Sequence, residues 1–314
     1  MASAALQVKG KSRFSTRLKL DFNRYWALYL MFIPILAYYI IFCYFPMYGV
    51  LIAFERYSPA KGVLGSTWVG LKNFKDFFGS YYFGQITWNT LRLSLEDLLF
   101  NFPSSIIFAL LLNEVSRSWF KKTIQTVTYL PYFISAVVVA GLIVDFTAKE
   151  GLINNVIVFF GGTASNLLMD SSKFDAVYVI SNIWQNIGYG SIIYLGAISG
   201  INSELYEAAT IDGAGRWKQT LHVTIPGIAS TIIILLILRM GSLLSVGYEK
   251  ILLIYNSQIY DKADVISTFV YRKGLVEANY GYASAVGLFN SVINMIFLLV
   301  ANTISRKVSE TSLW

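Results

Sequence analysis

Long apolar stretches, separated by shorter polar segments, dominate the chain from residue 26 onward. Each of the longest stretches approaches the roughly 20 residues that a helix needs to cross a hydrocarbon core. We place six predicted spans at about 26–54, 90–112, 123–147, 176–199, 223–247 and 282–304. The pattern therefore predicts an all-α, polytopic membrane protein in which residues 26–314 form a single transmembrane domain.

The first 25 residues are polar and basic, unlike the rest of the chain. They contain one acid, Asp21, and six basic residues: Lys9, Lys11, Arg13, Arg17, Lys19 and Arg24. Apolar residues recur among them at helical spacing: Phe14, Leu18 and Phe22. This pattern predicts a cytosolic, amphipathic helix over 12–25, lying on the inner leaflet. Basic residues favour the cytosolic side, so we expect both termini and the segment 204–222 to be cytosolic.

Some residues inside the predicted spans are unusual for a regular apolar helix. Prolines remove a backbone hydrogen bond and are expected to kink their helices: Pro34, Pro46, Pro103 and Pro131. Charged residues are also present: Arg92, Glu96, Asp97, Asp145 and Arg239. Charges within a membrane usually pair with one another or line a transport path, and kinked helices can enclose a cavity. The prolines therefore indicate either a cavity or bends between packed helices, and the charges either a transport path or ion pairs.

Composition agrees with a membrane protein and excludes several other classes. Hydrophobic residues make up 55% of the chain and charged residues 14%, whereas a soluble domain carries about a quarter charged residues. The net charge of +7 comes largely from the basic tail, so we exclude nucleic-acid binding. A single cysteine, Cys43, and a single histidine, His222, cannot build a disulfide framework or a Cys/His metal site. We also find no nucleotide-binding motif.

The polar interval from Glu204 to Pro226 is the most distinctive part of the sequence. Asn202 and Ser203 are suited to cap a first short helix, with Glu204 in the first turn, where the helix dipole favours an acid. Gly213 is expected to end that helix. A second short helix is predicted from about residue 216 to 226. Such a helical hairpin between two membrane spans is a docking surface.

The hairpin resembles the EAA loop of permease subunits of binding-protein-dependent ABC importers. The resemblance is carried without gaps by Glu207-Ala208-Ala209, Asp212-Gly213-Ala214 and Val223-Thr224-Ile225-Pro226. It implies that the first short helix is a coupling helix, seated in a cleft of a separate cytosolic ATPase. The residues implied in coupling are Glu204, Glu207, Ala208, Ala209, Asp212 and Gly213. It also implies that this chain has no catalytic residue and no cofactor, because the ATPase binds ATP and Mg²⁺.

Segments outside the hairpin resemble the carbohydrate-uptake branch of this family, found with importers of complex oligosaccharides and polysaccharide fragments. They are Val69–Phe74, Gly247–Ile251, Tyr260–Ile266, Tyr282–Leu288 and the terminal Ser312–Trp314. The resemblance implies a heterodimer with a second permease, two ATPase subunits and an extracytoplasmic sugar-binding protein in the bacterial cytoplasmic membrane. It implies that Tyr248 and Glu249 line the sugar path, although Glu stands where Asn or Asp is commoner.

Aromatic rings and amides can stack on sugar faces and bond sugar hydroxyls. On that ground we add candidates for the sugar path on the fourth predicted span: Trp184, Gln185, Asn186 and Tyr189. Arg239 is a further candidate, predicted to lie at roughly the same depth as Glu96 and Asp97. Either it forms an ion pair with one of these acids, or it binds a uronate carboxylate of the cargo, with Arg92 above it. We favour the ion pair, and with it a neutral oligosaccharide.

Two other functions remain open from the residues alone. An ion-coupled secondary transporter would use the charges inside the spans, but the two halves of the chain show no convincing repeat. A membrane enzyme acting on lipid-linked sugars would need clustered acids, for which Glu207 and Asp212 are the nearest approach. The sequence does not name the sugar, its linkage, its length, its charge, the second permease or the ATPase.

Overall fold

The structure, a computed structural model, describes residues 12–308 and 311–314, with side chains from Arg24 onward. The first eleven residues of the predicted basic tail lie outside this range. Two compact units are distinguished, Met1–Ile52 and Ala53–Trp314, and each is described by itself. In the first unit, helix α1 covers Ser12–Tyr38 and is followed by a π-helical turn at Tyr39–Tyr44.

Tyr25 divides α1 into two parts. Its backbone leaves the helical region, with φ −119° and ψ 20°. The break coincides with the predicted boundary between the tail and the first span. A 3₁₀ segment, Phe45–Phe54, continues the chain beyond the π-helical turn. The 31 residues Arg24–Phe54 together are long and apolar enough to cross a membrane.

A small layer of loops and short elements begins the second unit. Strands β1, Glu55–Arg56, and β2, Thr67–Trp68, pair antiparallel, with Glu55 opposite Trp68. Helices α2, Gly62–Gly65, and α3, Lys72–Phe78, flank β2. The side-chain amide of Asn73 donates to the carbonyls of Ala53 at 2.9 Å and Glu55 at 3.1 Å. The Val69–Phe74 signature therefore holds this loop together.

Three long helices form the frame of the second unit: α4, Tyr82–Glu114; α8, Ser171–Ser199; and α16, Tyr280–Val308. Helix α4 packs against α8 more extensively than any other pair of elements among the described residues. The shorter elements that follow α4 are α5, Ser118–Tyr129; a 3₁₀ turn, Leu130–Phe133; α6, Ala136–Thr147; α7, Leu152–Phe159; and a 3₁₀ turn, Leu167–Met169.

Between α8 and α16 the chain is a series of short helices. Helices α9, Ser203–Ile211, and α10, Arg216–Gln219, precede a π-helical turn at Thr220–Thr224. The remaining elements are α11, Ile225–Gly227; α12, Ala229–Met240; α13, Tyr248–Ile254; a 3₁₀ turn, Ser257–Ile259; α14, Tyr260–Ala263; α15, Ile266–Tyr271; and a π-helical turn, Arg272–Val276.

Three helical segments of the described chain are long and apolar enough to span a membrane, or five if each of two bent pairs is one span. The single ones are Arg24–Phe54, α4 and α16. The bent pairs are Ser118–Phe133 with Ala136–Phe159, at 102°, and Arg216–Gly227 with α12, at 58°. The predicted all-α membrane fold is confirmed, whereas the number of six spans stays a prediction.

Two of the predicted spans differ from the observed helices. The third is broken after Pro131, where Ile134 is extended and Ser135 caps α6, so the predicted kink occurs there. The fifth was expected to continue to residue 247, which is wrong, because α12 ends at Met240, a turn occupies 241–244 and irregular chain follows at 245–247. Arg239 therefore lies in the last turn of its helix, not eight residues inside it. Periodicity alone could not locate this end, because Leu243, Leu244 and Val246 are apolar and buried within the segment 241–247.

Three clusters of buried apolar side chains stabilise the second unit. The largest joins α4, α6, α8 and α13, and includes Leu93, Val139 and Ile251. A second lies near the start of α4, around Phe77 and Phe269, whose rings pack edge-on or tilted against neighbouring aromatic rings. A third joins the ends of α4 and α8 to the start of α12. The first and third clusters hold α4 and α8 against each other.

Candidate functional site: a helical hairpin and a polar cavity

Helix α9 begins and ends as the sequence predicts. The side-chain oxygen of Asn202 accepts a hydrogen bond from the backbone N–H of Glu204 at 3.0 Å, which caps the first turn. At the other end, the N–H of Ala214 donates to the carbonyl of Ala209 at 2.8 Å, and the N–H of Gly213 donates to Thr210 at 3.1 Å. These bonds form a Schellman motif, in which Gly213 has φ +74°.

Side chains hold α9 and α10 together as one hairpin. The Gln219 amide donates to the hydroxyl of Thr210 at 2.9 Å and to the carbonyl of Ala214 at 3.0 Å. The hydroxyls of Tyr206 and Thr224 are hydrogen-bonded at 3.0 Å, and Thr224 is buried. These hydrogen bonds fix α9 and α10 relative to each other.

The exposed face of the hairpin carries acidic and apolar side chains. Of the six predicted coupling residues, Ala209 is half-buried and the others are exposed: Glu204, Glu207, Ala208, Asp212 and Gly213. Large apolar side chains are exposed beside them, with Ile211 at 86% and Trp217 at 78%. Arg216 lies 3.7 Å from Glu114, which connects the hairpin to the end of α4. Such a face is typical of a surface that docks on another protein.

A polar cavity of about 570 Å³ lies between α4, α8, α12 and the segment 241–247 that follows α12. Three of the predicted sugar-path residues line it: Asn186, Tyr189 and Arg239. Further polar or aromatic residues of its lining include Asp97, Asn101, Ser105, Tyr178, Asn182 and Tyr194. Because a sugar is recognised by amides, hydroxyls and aromatic rings, this lining suits a carbohydrate.

The buried carboxylate of Asp97 organises one wall of this cavity. Its side chain is 3% exposed and accepts hydrogen bonds from Arg239, from Asn182 at 2.9 Å and from Asn101 at 3.3 Å. The predicted ion pair of Arg239 is therefore formed, with Asp97. The Arg239 side chain is nevertheless 42% exposed, and it is part of the lining of the cavity.

Arg92 does not share this site. Its guanidinium donates to the carboxylate of Asp175 at 3.0 Å and to the carbonyl of Lys262 at 3.1 Å. This geometry does not support the alternative in which Arg92 stands above Arg239 and binds the cargo with it, because Arg92 is bonded to these partners and is not in the lining of the polar cavity. Glu96, its neighbour in α4, interacts electrostatically with Arg92 and Asp175.

A smaller cavity of about 300 Å³ shares Tyr178, Asn182 and Gly247 with the larger one. It is lined by three more of the predicted sugar-path residues: Gln185, Tyr248 and Glu249. Tyr248 also lines a groove of about 490 Å³ in which the Tyr271 ring lies 6.4 Å from its own ring. The predicted residues on α8 and α13 thus surround adjoining spaces.

Trp184 lies apart from the other candidates. It lines an apolar cavity of about 450 Å³ with side chains of α6 and α8. In a helix, residues two positions apart project in very different directions, so Trp184 cannot share the face of Asn182 and Asn186. Its prediction as a sugar-path residue finds no geometric support.

An aromatic stack borders the polar cavity at Tyr189. The rings of Tyr189 and Tyr132 are parallel within 5°, with centroids 3.7 Å apart. Phe133 packs edge-on against Tyr189 at 6.0 Å. One face of the Tyr189 ring is therefore covered by the break between α5 and α6, and only the remaining surface is available to a ligand.

Sequence reasoning missed several residues of this region, among them Tyr132, Asn182 and Lys250. Lys250 is 7% exposed, and its ammonium donates to the side-chain oxygen of Asn182 at 2.6 Å. A signal for Lys250 was present, because it directly precedes the apolar run Ile251–Ile254. Within the described residues, no group of three or more His, Cys, Asp or Glu side chains is arranged to hold a metal ion.

Helices long and apolar enough to span a membrane, a polar cavity and an exposed helical hairpin are together typical of membrane transport permeases. Comparison with known proteins specifies the class further. The chain belongs to the family of binding-protein-dependent transport system inner membrane components, whose profile matches residues 103–310. It is accordingly a multi-pass membrane permease of an ABC import system, and the family favours this assignment over an ion-coupled transporter.

Relatives are similar over nearly the whole chain. Protein LplB of Bacillus subtilis (strain 168) is 46% identical over 288 residues, covering 91% of each chain. The polygalacturonan/rhamnogalacturonan transport system permease YteP of the same organism is 42% identical over 311 residues, covering 99% of this chain and 96% of the relative. These relatives include a permease of polysaccharide transport, in agreement with the branch that the sequence resembles.

Solved structures show the same fold. A chain in the crystal structure of a bacterial ABC transporter involved in the import of the acidic polysaccharide alginate is 42% identical, with a TM-score of 0.86, covering 93% of this chain and 99% of that chain. A chain of a bacterial alginate ABC transporter, in complex with an alginate pentasaccharide-bound periplasmic protein, is 42% identical with a TM-score of 0.87, covering 95% and 100%.

Proposed function

We propose that this chain is one of two unlike permeases in an ATP-driven importer of acidic oligosaccharides or polysaccharide fragments. The observation that carries the proposal is the polar cavity beside Asp97, which is lined by the partly exposed side chain of Arg239. A planar guanidinium suits the carboxylate of a uronate unit, because it offers paired N–H donors. The names of the alginate and polygalacturonan relatives support an acidic cargo, against the neutral cargo that the sequence favours.

The hairpin α9–α10 supplies the connection to the source of energy. We assign Glu207 and the turn at Gly213 to contact with a cytosolic ATPase, which binds ATP and Mg²⁺ and performs the hydrolysis. The acid on α9 would meet a basic residue of the ATPase, and the exposed apolar side chains would fill its cleft. Closing of two ATPase subunits would move the hairpins and switch the cavity between inward-facing and outward-facing states.

The same proposal places a second related permease across the translocation path and a sugar-binding protein on the outer side. Both termini and the hairpin would then be cytosolic, as the basic residues of the tail suggest. Support for the binding protein comes from the related alginate transporter, which is in complex with a periplasmic protein.

The test is uptake by proteoliposomes that contain the complete importer and its loaded binding protein. We expect accumulation of an acidic oligosaccharide to require ATP on the side of the ATPase and to be unaffected by proton or sodium ionophores. Collapse of uptake by an ionophore, with ATP present, would instead support the ion-coupled alternative. Chemical turnover of the sugar by this chain alone would support a membrane enzyme.

A further inference from the structure

Lys250 is a buried cation with an unusual environment. It lies on α13, and its ammonium donates to the side-chain oxygen of Asn182 at 2.6 Å. A buried lysine normally has an acid beside it, because the protein interior solvates an isolated charge poorly. Among the described residues, the ion pairs do not include Lys250, so its first partner is a neutral amide.

Asn182 connects Lys250 to the wall of the larger cavity. Its oxygen accepts from the ammonium of Lys250, and its amide nitrogen donates to a carboxylate oxygen of Asp97 at 2.9 Å. Both bonds require this orientation of the amide, since an ammonium can only donate and a carboxylate only accepts. The chain Lys250–Asn182–Asp97–Arg239 therefore joins α13, α8, α4 and α12.

The charges within this hydrogen-bonded network do not balance. Arg239 and Lys250 each carry +1, and Asp97 carries −1, so the network has a net charge of +1. Glu249 lines the smaller cavity, but it is exposed, whereas Lys250 and Asp97 are buried. Arg92 is paired with Asp175 and adds no net charge. Charges act more strongly where water is excluded, so the unmatched positive charge favours an anion in the adjoining cavity.

We propose that Lys250 is a specificity-determining residue of the importer, which acts through Asn182 and Asp97 to make the cavity select carboxylate-bearing sugar units. Because Asp97 is shared between Arg239 and the Lys250–Asn182 arm, it leaves the exposed part of the Arg239 side chain available to a uronate carboxylate. Lys250 itself lines the smaller cavity but not the larger one, where it sets the charge of the site through Asn182. This inference rests on the proposed function and adds the residue that determines the charge of the preferred cargo.

The experiment compares an acidic oligosaccharide with its carboxyl-reduced, neutral counterpart of the same length. Uptake of each sugar is measured in proteoliposomes with the complete importer and the same binding protein. Because the binding protein is unchanged, its own preference for one of the two sugars affects all variants equally. We expect Lys250→Met to lower the ratio of acidic to neutral uptake by about tenfold, since a unit positive charge in a poorly solvated site beside the cavity is lost. Lys250→Arg keeps the charge and should keep most of the ratio.

Asn182→Asp tests the same idea without leaving Lys250 unpaired. The new carboxylate would still accept from the ammonium, and it would bring the net charge of the network to zero. We expect the ratio to fall as it does in Lys250→Met, even if that variant assembles poorly. Lys273→Met is the matched control, because Lys273 contacts Glu277 at 2.7 Å, outside the cavities, and should leave the ratio unchanged.

Different results separate this inference from the proposed function. If Lys250→Met and Asn182→Asp reduce uptake of both sugars equally, or leave the ratio within twofold of the parent, Lys250 has only a structural role and the inference is overturned. If the parental importer shows no ATP-dependent uptake of either sugar, the proposed function fails and the inference fails with it.

Discussion

Gly213 shows how a single residue determines the end of an element. Its φ of +74° lies in the left-handed region, where a side chain costs about 1–2 kcal/mol. Gly215, two residues later, has a φ of −68° and nothing within 4 Å of an added Cβ. The two glycines therefore offer a variant and a control within the same turn.

We expect Gly213→Ala to leave the permease in the membrane and to weaken the dependence of ATP hydrolysis on loaded binding protein. The reason is that strain in the Schellman motif changes the end of α9, which we propose docks on the ATPase. Glu207→Ala should have a similar effect through the loss of an exposed charge. The measurement is ATPase stimulation in the reconstituted importer, with Gly215→Ala close to the parent. Parental stimulation in both Gly213→Ala and Glu207→Ala would remove the docking assignment.

Asp97 provides a second prediction at this scale. Asp97→Asn leaves the positive charges of Arg239 and Lys250 without their shared acid, and we expect a loss of about 1–3 kcal/mol in stability. This is less than for a fully buried pair, because Arg239 is partly exposed. Thermal unfolding of the purified complex measures this loss in stability. Addition of Arg239→Gln should restore part of the loss, and strictly additive losses would mean that the two side chains do not interact.

At the scale of elements, α8 separates two environments. Tyr178, Asn182 and Asn186 follow one another at four-residue intervals, which places them on the face that borders the polar cavity. Trp184 projects from another face into an apolar cavity. The surroundings of each residue on α8 therefore depend on its position around the helix and on where α4 and α6 pack against that helix.

Close packing of α8 against α5 yields a prediction for this scale. A Cβ added at Gly188 would lie 2.2 Å from the backbone oxygen of Thr128, whereas one added at Gly196 would have nothing within 4 Å. We expect Gly188→Ala to destabilise the permease by about 1–3 kcal/mol, since a backbone contact must open. Gly196→Ala should be neutral or slightly stabilising. Equal thermal stability of the two variants would contradict this packing.

At the scale of the whole molecule, the exposed surface of the hairpin requires a partner. Ile211 and Trp217 are large, apolar and exposed on a part of the chain that we propose is cytosolic. A large apolar patch on a surface that faces water favours association with another protein. We expect the chain to purify as a monodisperse species only when it is produced together with a second permease and an ATPase. Size-exclusion chromatography with light scattering checks this, and an active, monodisperse preparation of this chain alone would contradict it.

The sequence by itself determined the class and the local elements of this protein. Apolar runs indicate membrane helices because backbone polar groups in lipid must be satisfied within the helix. Asn202 and Gly213 define α9 because capping depends on neighbouring residues only. Local rules of this kind need no knowledge of the fold, and for that reason the structure agrees with them.

Only the tertiary structure decided which polar residues share a site. Glu96 and Asp97 are adjacent in the sequence, yet Asp97 receives Arg239 while Glu96 lies near Arg92 and Asp175. Lys250 reaches Asn182 although 68 residues separate them. Such pairs depend on the break after Pro131 and on the early end of α12, which set how the short helices pack against α4 and α8. Helical periodicity gives the direction of a side chain on its own helix, but only packing between helices determines what it meets there.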